Sequence, residues 1–502
     1  MLNTRSKRCR NGPRRPSINT FNPKPYYQNY IDGQFVDGGA GRITVDNPAT
    51  GAPLAEQAIA NSEDVDNAIA AARRCHESRV LTAMRPVERG RMVKAIGDYL
   101  LANVDEISQL LSLEAGKPLW EAVMEIEGAA RYFEYYGNQA ETLEGRSIPL
   151  GDGYYDFTTY EPRGVSGQII PWNYPMEMTA RGVAAALTTG NTVVVKSPEL
   201  DPLTHYYYAL AADAVGFPAG AVNIVCGLGH EAGAALSSHK GVDQLVFTGS
   251  VPTGVAIATA AAQNVVPCIL ELGGKSAAIV YNDADIENLL DSIRWGIFFN
   301  AGQVCSAMSR LIVHRDIHDQ VVSAITDLAN SLSVGPGIDR PEFGANMGAM
   351  VSEGQRNRAV GLIERAQSEG AVIAAGGKAM DREGFFLHPT ILTGVTPSMD
   401  IARTEVFGPV LSVLSFDDEA EAIRIANDSD YGLVGGVFTQ DIDRAMRVAR
   451  DVGAGQIFIN EWYAGGVETP FGGYKQSGYG REKGREALMN YVQTKNIGIR
   501  IG

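Results

Sequence analysis

Three short segments carry the side chains with the greatest chemical potential in this chain. Asn173 lies in a Pro-Trp-Asn-Tyr-Pro segment, Glu271 begins a Glu-Leu-Gly-Gly-Lys-Ser segment, and Cys305 ends a Gly-Gln-Val-Cys segment. In general, a thiolate can attack a carbonyl carbon, a carboxylate can act as a base, and an amide can donate hydrogen bonds to an oxyanion. Each residue also has a plainer interpretation, as a turn asparagine, a capping glutamate or an inert buried thiol. No segment by itself decides between them.

Cysteine and histidine usage argues against disulfides and metal. The five cysteines, at positions 9, 75, 226, 268 and 305, are scattered and form no CxxC pair. The seven histidines fall at none of the spacings that hold zinc. We therefore expect free thiols, no metal site and a reducing, cytoplasmic location.

Two glycine turns are candidates for binding a phosphate. Residues 227–233 (GLGHEAG) nearly match the dinucleotide fingerprint, but the last spacing is three residues instead of two, so Gly229 could simply form a tight turn. A second turn contains Gly249 and Ser250, where free backbone N–H groups at the start of a helix would favour a phosphate. Together, these turns suggest a dinucleotide.

The end of a third strand bears on whether the dinucleotide is NAD or NADP. The strand that ends near Lys196 is followed by Glu199. A carboxylate just past a parallel strand can hold both ribose hydroxyls of an adenosine and repels a 2′-phosphate. The alternative is a solvated rim of two charged residues. If the site exists, Glu199 predicts NAD, with NADP the less favoured cofactor.

Five motifs, taken in order, resemble those of the NAD(P)-dependent aldehyde dehydrogenases. Two of them, residues 405–409 (EVFGP) and 470–478 (PFGGYKQSG), follow the three segments described above. The resemblance extends over residues 26–502. It implies an α/β protein with a Rossmann-like cofactor-binding domain, an α/β catalytic domain and a small β oligomerisation arm.

The resemblance also implies catalytic roles. Cys305 looks like the nucleophile, Glu271 like the base for hydrolysis, and Asn173, with the Cys305 backbone N–H, like the oxyanion donors. An aldehyde has no hydride ready to leave until a nucleophile makes a tetrahedral adduct, and a thiolate then leaves a hydrolysable thioester. Acylating relatives that use coenzyme A generally lack a glutamate at this position, so Glu271 favours release of the free acid.

The same resemblance implies the cofactor site. Glu405 looks like the carboxylate that holds the nicotinamide ribose, and Phe407 packs beside it. The predicted cofactor-binding residues are Trp172, Lys196, Glu199, Gly229, Gly249, Ser250, Leu272, Gln355, Glu405 and Phe407.

The substrate pocket is less specific. Its expected residues are Tyr174, Met178, Arg181, Phe299, Val304, Ser306, Glu461, Trp462, Tyr463, Gly465 and Phe471. The residues beside the cysteine and the loop before residue 470 look like the betaine-aldehyde and aminoaldehyde branch, and aromatic faces beside an acid suit a cation. Arg181 stands where relatives often carry an aromatic residue, and it would attract a carboxylate unless it pairs with Glu177 or Glu461. An aminoaldehyde, an aromatic aldehyde and a semialdehyde acid all remain open.

The elements that must position these residues form two series. Strand-like runs alternate with helical stretches, which predicts βαβ units and parallel sheets in two lobes that meet near residue 272. The predicted strands lie at 165–170, 192–196, 222–225, 244–248 and 268–272, then at 277–281, 310–313, 410–416 and 456–459. We expect an NAD-binding domain at 26–145 and 164–272 and a catalytic domain at 273–475.

Two further segments lie outside these lobes. The strands at 154–162 and 496–501 look like the family's oligomerisation arm, assigned to 146–163 and 488–502, and predict a homodimer or homotetramer. Residues 1–25 are basic and acid-free up to residue 24, which predicts a disordered tail, with an organelle transit peptide as the alternative.

Composition excludes some classes of function. The chain has 502 residues, 45% of them hydrophobic and 20% charged, which is typical of a globular protein. Its net charge of −15 disfavours nucleic acid, and no apolar run is long enough to predict a membrane span. The remaining alternatives to an aldehyde dehydrogenase are a non-redox thiol hydrolase or esterase, and a binding protein on the same fold.

Overall fold

Two large, mainly parallel sheets organise the chain, as the alternation of strands and helices predicts. The computed structural model describes residues 21–340, 342–344 and 346–501. The first sheet has eight strands, in the spatial order Gly478–Tyr479, Cys268–Glu271, Gln244–Thr248, Val165–Ile169, Thr192–Ser197, Val222–Cys226, Asn29–Ile31 and Gln34–Val36. Its central strands are buried throughout, as expected where helices cover both faces of a parallel sheet.

Helices of the first half of the chain pack on this sheet. The longest is Leu119–Gln139, which contacts the helices Pro86–Ala102 and Pro175–Thr188 through a cluster of buried aliphatic and aromatic residues. The other helices are Ser62–Glu77, Val80–Ala83, Val104–Ala115, Tyr206–Val215, Ala234–Ser238 and Val251–Ala262, with a π-helical turn at Gly229–Gly233.

The second sheet has seven strands and its own buried core. Their spatial order is Val372–Ala375, Thr390–Thr393, Val410–Phe416, Arg310–His314, Ala277–Val280, Val434–Phe438 and Gln456–Ile459. The helices of this part of the chain are Ile286–Ile293, His318–Ser331, Glu353–Ser368, Asp400–Arg403, Glu419–Asn427 and Ile442–Asp451. The expected α/β fold is therefore confirmed.

A third sheet lies apart from the two large ones. The strand Tyr154–Pro162 pairs antiparallel with Val492–Arg500 and with the short strand Ser147–Ile148. The C-terminal strand therefore begins at Val492, four residues earlier than predicted, and follows the helix Glu486–Asn490. Smaller pairings join Tyr26–Tyr27 and Arg42–Asn47 to Ala52–Ala58, Ser333–Val334 to Asn346–Met347, and Tyr431–Gly432 to Tyr474–Lys475.

Most of the predicted tail lies outside the described residues, which begin at Phe21. Residues 21–25, which the prediction includes in that tail, contact the body of the protein. Phe21 packs against the core of the first lobe, and the Pro25 carbonyl accepts a hydrogen bond from the Glu56 N–H at 3.0 Å. In the described ranges, no helix has the length and apolar character needed to cross a membrane.

Candidate active site

Glu271 lies where the chain passes from one large sheet to the other. It ends the strand Cys268–Glu271, and the next strand, Ala277–Val280, belongs to the second sheet. The residue is only 1% exposed. Within the described part of the chain, neither carboxylate oxygen has a hydrogen-bond partner. A carboxyl group in this position is free to bind and release a proton.

The charges around Glu271 act on its pKa in opposite directions. Burial raises the pKa well above that of an ordinary glutamate, and the nearby Glu482 carboxylate raises it further. The positive charges of Arg181 and Arg481 lower it. Glu271 therefore keeps its proton to a higher pH than an ordinary glutamate does.

The loop that carries Cys305 has an unusual backbone. Asn300 and Ala301 adopt left-handed conformations, with φ of 48° and 51°, and Gly302 follows with φ of 71°. A Cβ on Gly302 would lie 2.2 Å from the Gly408 carbonyl oxygen, so only glycine fits at this close approach. The loop is thus held by backbone packing just before the cysteine.

A second glycine brings the Glu271 segment against this loop. A Cβ on Gly274 would lie 2.4 Å from the carbonyl oxygen of Cys305. The two backbones therefore touch, and the predicted base and nucleophile belong to contacting segments.

The Cys305 thiol is partly buried in a mixed electrostatic environment. Burial raises its pKa to about 12, and the Glu405 and Glu271 carboxylates add to this increase. The Arg181 guanidinium and the Ser306 backbone N–H lower the pKa. Because the thiolate is the reactive form, these neighbours control the reactivity of Cys305.

Asn173 also contacts the cysteine loop. Its side-chain amide Nδ2 donates to the Gln303 carbonyl oxygen at 3.0 Å, two residues before Cys305. An amide nitrogen carries two hydrogens, so this bond leaves one donor for another acceptor. The structure therefore brings together the three segments that contain Asn173, Glu271 and Cys305.

The surroundings of Arg181 extend one prediction. Arg181 is buried and forms an ion pair with Glu482, with 2.9 Å between Nε and Oε2. The sequence offered Glu177 or Glu461 as partners and did not include Glu482; Glu177 makes a smaller electrostatic contribution at Arg181 than Glu482 does. Glu482 is 301 residues away, and the sequence offers no local signal for this pair. The guanidinium also lies 5.2 Å from the centre of the Phe471 ring and donates to the Met178 sulfur.

Aromatic side chains form one side of the predicted pocket. Tyr174 stacks on Phe299 with 6.2 Å between ring centres. Phe299 in turn contacts Trp120 and Trp295, each at 5.8 Å, and Phe343 packs against both tryptophans. Trp120, Trp295 and Phe343 were not predicted, because they lie outside the motifs.

The other side of the pocket surrounds the residues next to the cysteine. Val304 and Ser306 are buried, and Trp462 donates from Nε1 to the Ser306 carbonyl oxygen at 3.1 Å. Tyr463 packs beside Trp462 with 6.3 Å between ring centres. Burial raises the pKa of Tyr463, and the negative charge of a Cys305 thiolate would raise it further. In the following turn, Gly465 is exposed, and Glu461 accepts from the Ala464 N–H at 2.9 Å.

The predicted cofactor residues of the first sheet lie at strand and helix ends. Lys196 is buried and its Nζ lies 2.6 Å from Oε2 of Glu199, whose side chain is 39% exposed. Ser250 precedes the helix Val251–Ala262, and no described atom lies within 4 Å of a Cβ built on Gly229. These features fit a dinucleotide. Its phosphates can lie at an open glycine turn and a helix start, and its ribose can lie beside a partly exposed carboxylate.

Other predicted cofactor residues lie nearer the cysteine. Oε1 of Glu405 accepts from the Gly274 N–H at 2.9 Å, and burial raises the Glu405 pKa to about 7. Trp172 and Phe407 form an edge-to-face pair at 5.1 Å. The remaining three predicted residues contact neighbouring segments. The Gly249 N–H donates to the Glu271 carbonyl oxygen, and Leu272 packs on Gly254. The Gln355 N–H donates to Ser352 at the start of a helix.

The cysteines of the described residues are unpaired with one another. Cys75, Cys226, Cys268 and Cys305 are free, whereas Cys9 lies outside the described residues. Across the described ranges, no group of three or more histidine, cysteine, aspartate or glutamate side chains could hold a metal ion.

Comparisons with known proteins agree with this geometry. Residues 35–497 match the aldehyde dehydrogenase family. An aldehyde dehydrogenase of Aspergillus niger is 40% identical over 475 residues, which are 94% of this chain and 95% of that protein. A structure of the aldehyde dehydrogenase of Bacillus cereus in complex with NAD+ superposes with a TM-score of 0.94 at 40% identity, covering 97% of this chain and all of that one. The betaine aldehyde dehydrogenase of Staphylococcus aureus, also solved with NAD+, gives 0.92 at 38% identity and 95% coverage of both chains.

The chain therefore belongs to the aldehyde dehydrogenase family, and it is an oxidoreductase that acts on aldehydes.

Proposed function

We propose that this enzyme oxidises an aldehyde to the carboxylic acid with NAD+, using Cys305 as nucleophile and Glu271 as base. The observation that carries the proposal is the buried Glu271 carboxyl group, which lacks any described partner and lies on a segment in contact with the Cys305 backbone. Covalent acyl chemistry needs a nucleophile, a base and a donor to the oxyanion. The contacting segments carry a thiol, a carboxylate and an amide for these three tasks.

The first step is attack by the Cys305 thiolate on the aldehyde carbon. A C–S bond forms, and the carbonyl π electrons move to oxygen, which becomes an oxyanion. The second N–H of Asn173 and the backbone N–H of Cys305 donate to this oxygen. Bound NAD+ would accept the hydride when the C–H bond of the adduct breaks, and the oxyanion electrons re-form the C=O bond, which leaves a thioester on Cys305.

The second step is hydrolysis of the thioester on Cys305. Glu271 removes a proton from water as the water oxygen attacks the thioester carbon. The C–S bond then breaks, and the carboxylic acid is released with the thiol restored. Burial favours this role, because a raised pKa makes the Glu271 carboxylate a stronger base than an ordinary glutamate carboxylate.

NAD+ is the cofactor that the site favours. The partly exposed Glu199 carboxylate beside Lys196 would accept hydrogen bonds from ribose hydroxyls and repel a 2′-phosphate. The NAD+ complexes of the Bacillus cereus and Staphylococcus aureus relatives support the same choice.

An aromatic aldehyde or an aminoaldehyde fits the pocket better than a semialdehyde acid. Tyr174, Phe299 and Trp462 offer flat faces that suit either a ring or a cation. The likeness to betaine aldehyde dehydrogenase supports the cationic substrate. Arg181 is already neutralised by Glu482, which weakens the alternative of a carboxylate bound to Arg181. Comparison of kcat/KM for benzaldehyde, an aminoaldehyde and a semialdehyde acid separates the three classes.

The test of the mechanism is Cys305→Ser. This variant should lose aldehyde-dependent NADH formation, followed at 340 nm, and should still bind NAD+. Turnover equal to that of the unmodified enzyme would contradict the role of Cys305. A non-redox thiol hydrolase is the alternative, and it would cleave an ester without forming NADH from an aldehyde.

The larger organisation follows the same proposal. Residues 26–145 and 164–272 would form the NAD-binding domain and residues 273–475 the catalytic domain. The arm at 146–163 and 488–502 would join subunits in a homodimer or homotetramer.

A further inference from the structure

A buried ammonium group lies against the turn that carries Asn173. Lys117 is in the connection between the helices Val104–Ala115 and Leu119–Gln139, and it is 2% exposed. Its Nζ donates to the main-chain carbonyl oxygen of Asn173 at 2.9 Å and to Oε2 of Glu125 at 2.5 Å. The Lys117 ammonium group thus bridges the Glu125 carboxylate and the Asn173 carbonyl, and its charge also acts on the buried Glu121 carboxyl group.

Glu125 fixes the chain just beyond Asn173. Its second oxygen, Oε1, accepts from the backbone N–H groups of Met176 at 2.9 Å and Glu177 at 3.3 Å. These groups belong to the first turn of the helix Pro175–Thr188, where N–H groups have no partner within the helix. Lys117 and Glu125 therefore hold both the Asn173 carbonyl and the helix start that follows it.

The Cys305 loop contacts the same carbonyl. Nδ2 of Asn300 donates to the Asn173 oxygen at 2.9 Å and to the Gln303 oxygen at 3.3 Å. The Gln303 oxygen also accepts from the Asn173 side chain. Asn300 itself is fixed by its backbone N–H, which donates to Oε2 of Glu121 at 3.0 Å. Main chain and side chain of Asn173 are therefore both tied to the loop of the nucleophile.

The stability of the fold alone gives little reason to bury the ion pair of Lys117 and Glu125. Taking a lysine and a glutamate out of water costs free energy that their attraction only partly returns, and an apolar pair can be equally stable. Orientation is a better reason, because a misplacement of about 1 Å in an active site can reduce turnover about 10²-fold.

We propose that Lys117 is a positioning residue for aldehyde oxidation: by holding the Asn173 carbonyl, it directs the Asn173 amide toward the oxyanion formed at Cys305. This inference rests on the proposed function, which gives Asn173 that role.

The experiment compares reactions that do and do not form an oxyanion. Lys117→Met removes the donor and keeps a side chain of similar length, and Lys94→Met, at an exposed helix position, is the matched control. Aldehyde oxidation and hydrolysis of p-nitrophenyl acetate both pass through an oxyanion, whereas alkylation of Cys305 by iodoacetamide does not. We expect Lys117→Met to lower kcat for the first two reactions about ten- to hundredfold, with KM and the alkylation rate changed less than about twofold. Lys94→Met should change none of them.

Coupling to Asn173 gives the second readout. If Lys117 acts through Asn173, the double variant Lys117→Met/Asn173→Ala should be no slower than Asn173→Ala alone. Losses that multiply in the double variant would overturn the proposal. So would unchanged turnover in Lys117→Met, or an alkylation rate that falls in parallel with turnover.

A folding defect and a failure of the underlying mechanism are separated by further variants. If Lys117→Met does not fold, Lys117→Met/Glu125→Gln removes both charges and keeps an oxygen for the Met176 N–H, and it must show the same selective loss. If Cys305→Ser or Asn173→Ala keeps full turnover, the proposed function fails. If both of those variants are inactive but the Lys117 variants are fully active, only the positioning role fails.

Discussion

The carboxyl group of Glu271 should control deacylation. In Glu271→Gln no base remains for water, so the thioester on Cys305 should form and then persist. We expect a burst of up to about one NADH per subunit, followed by a steady rate about 10²–10⁴-fold lower. Stopped-flow absorbance measures the burst, and hydroxylamine should release the trapped acyl group. A linear progress curve at the original rate would contradict this role.

Deacylation should also depend on pH through this residue. The base must be ionised, so the rate should rise as pH rises through the Glu271 pKa and fall below it. Because burial raises that pKa, the fall should begin at a higher pH than for an ordinary glutamate. Single-turnover release of acid, measured from pH 5 to 9, checks the sign, and Glu271→Gln should lack the pH-dependent limb.

Arg181 should act on the Cys305 thiol. Its positive charge lowers the pKa of Cys305, so its removal should raise that pKa and leave less thiolate at a given pH. We expect Arg181→Met/Glu482→Gln, which removes the ion pair as a unit, to slow alkylation of Cys305 several-fold at pH 8. The control is Lys483→Met, which removes a nearby positive charge and should leave the alkylation rate of Cys305 unchanged. An unchanged profile in the double variant would contradict the role of Arg181.

The proposed catalytic residues could be picked out because each lies in a local motif. Cys305, Glu271 and Asn173 are surrounded by glycine or proline at short spacing, and this pattern can be seen without a fold. The pair of Arg181 and Glu482 could not be found in this way, because only folding brings these two residues together.

At the scale of elements, buried parallel strands were the most predictable. The strands Gln244–Thr248 and Val410–Phe416 have the predicted bounds, since most of their residues are apolar and nearly all are buried. The strand Val434–Phe438 was missed because Gly435 and Gly436 weaken its strand pattern. Tertiary packing requires these glycines: a Cβ on Gly436 would lie 2.6 Å from the Trp462 ring.

The Ser477 hydroxyl bridges the segment that connects the two sheets and the short strand Tyr431–Gly432. The Ser477 hydroxyl donates to the Gly273 carbonyl at 2.7 Å and accepts from the Gly432 N–H at 3.0 Å. Ser477→Ala would leave two buried backbone groups without this partner, so we expect a loss of about 1–3 kcal/mol in the free energy of unfolding. Because Gly273 follows Glu271 closely, kcat should also fall. Urea denaturation measures the first effect, and Ser368→Ala, at an exposed helix end, is the control. Equal stability of both variants would show that the Ser477 contacts contribute little.

At the scale of the whole molecule, the arm presents an unpaired edge. Among the described residues, the nine-residue strand Val492–Arg500 pairs only with Tyr154–Pro162. Exposed apolar side chains lie along the same sheet and beside it, with Tyr155 at 63%, Ile499 at 45% and Ile501 at 47% exposure. A long free edge with apolar residues is a template for pairing with another chain. The arm therefore has the physical properties of a subunit contact.

Charging this edge should dissociate the proposed assembly. In Ile499→Lys/Ile501→Lys, two ammonium groups would have to be desolvated in the contact, so we expect the mass measured by light scattering to fall toward the 53.8 kDa of one chain. Val372→Lys is the matched control, because Val372 is an exposed apolar residue on the edge strand of the second sheet. A one-chain mass for the unmodified enzyme, or equal dissociation by Val372→Lys, would contradict the role of the arm. Retained turnover in the dissociated variant would show that each subunit holds a complete active site.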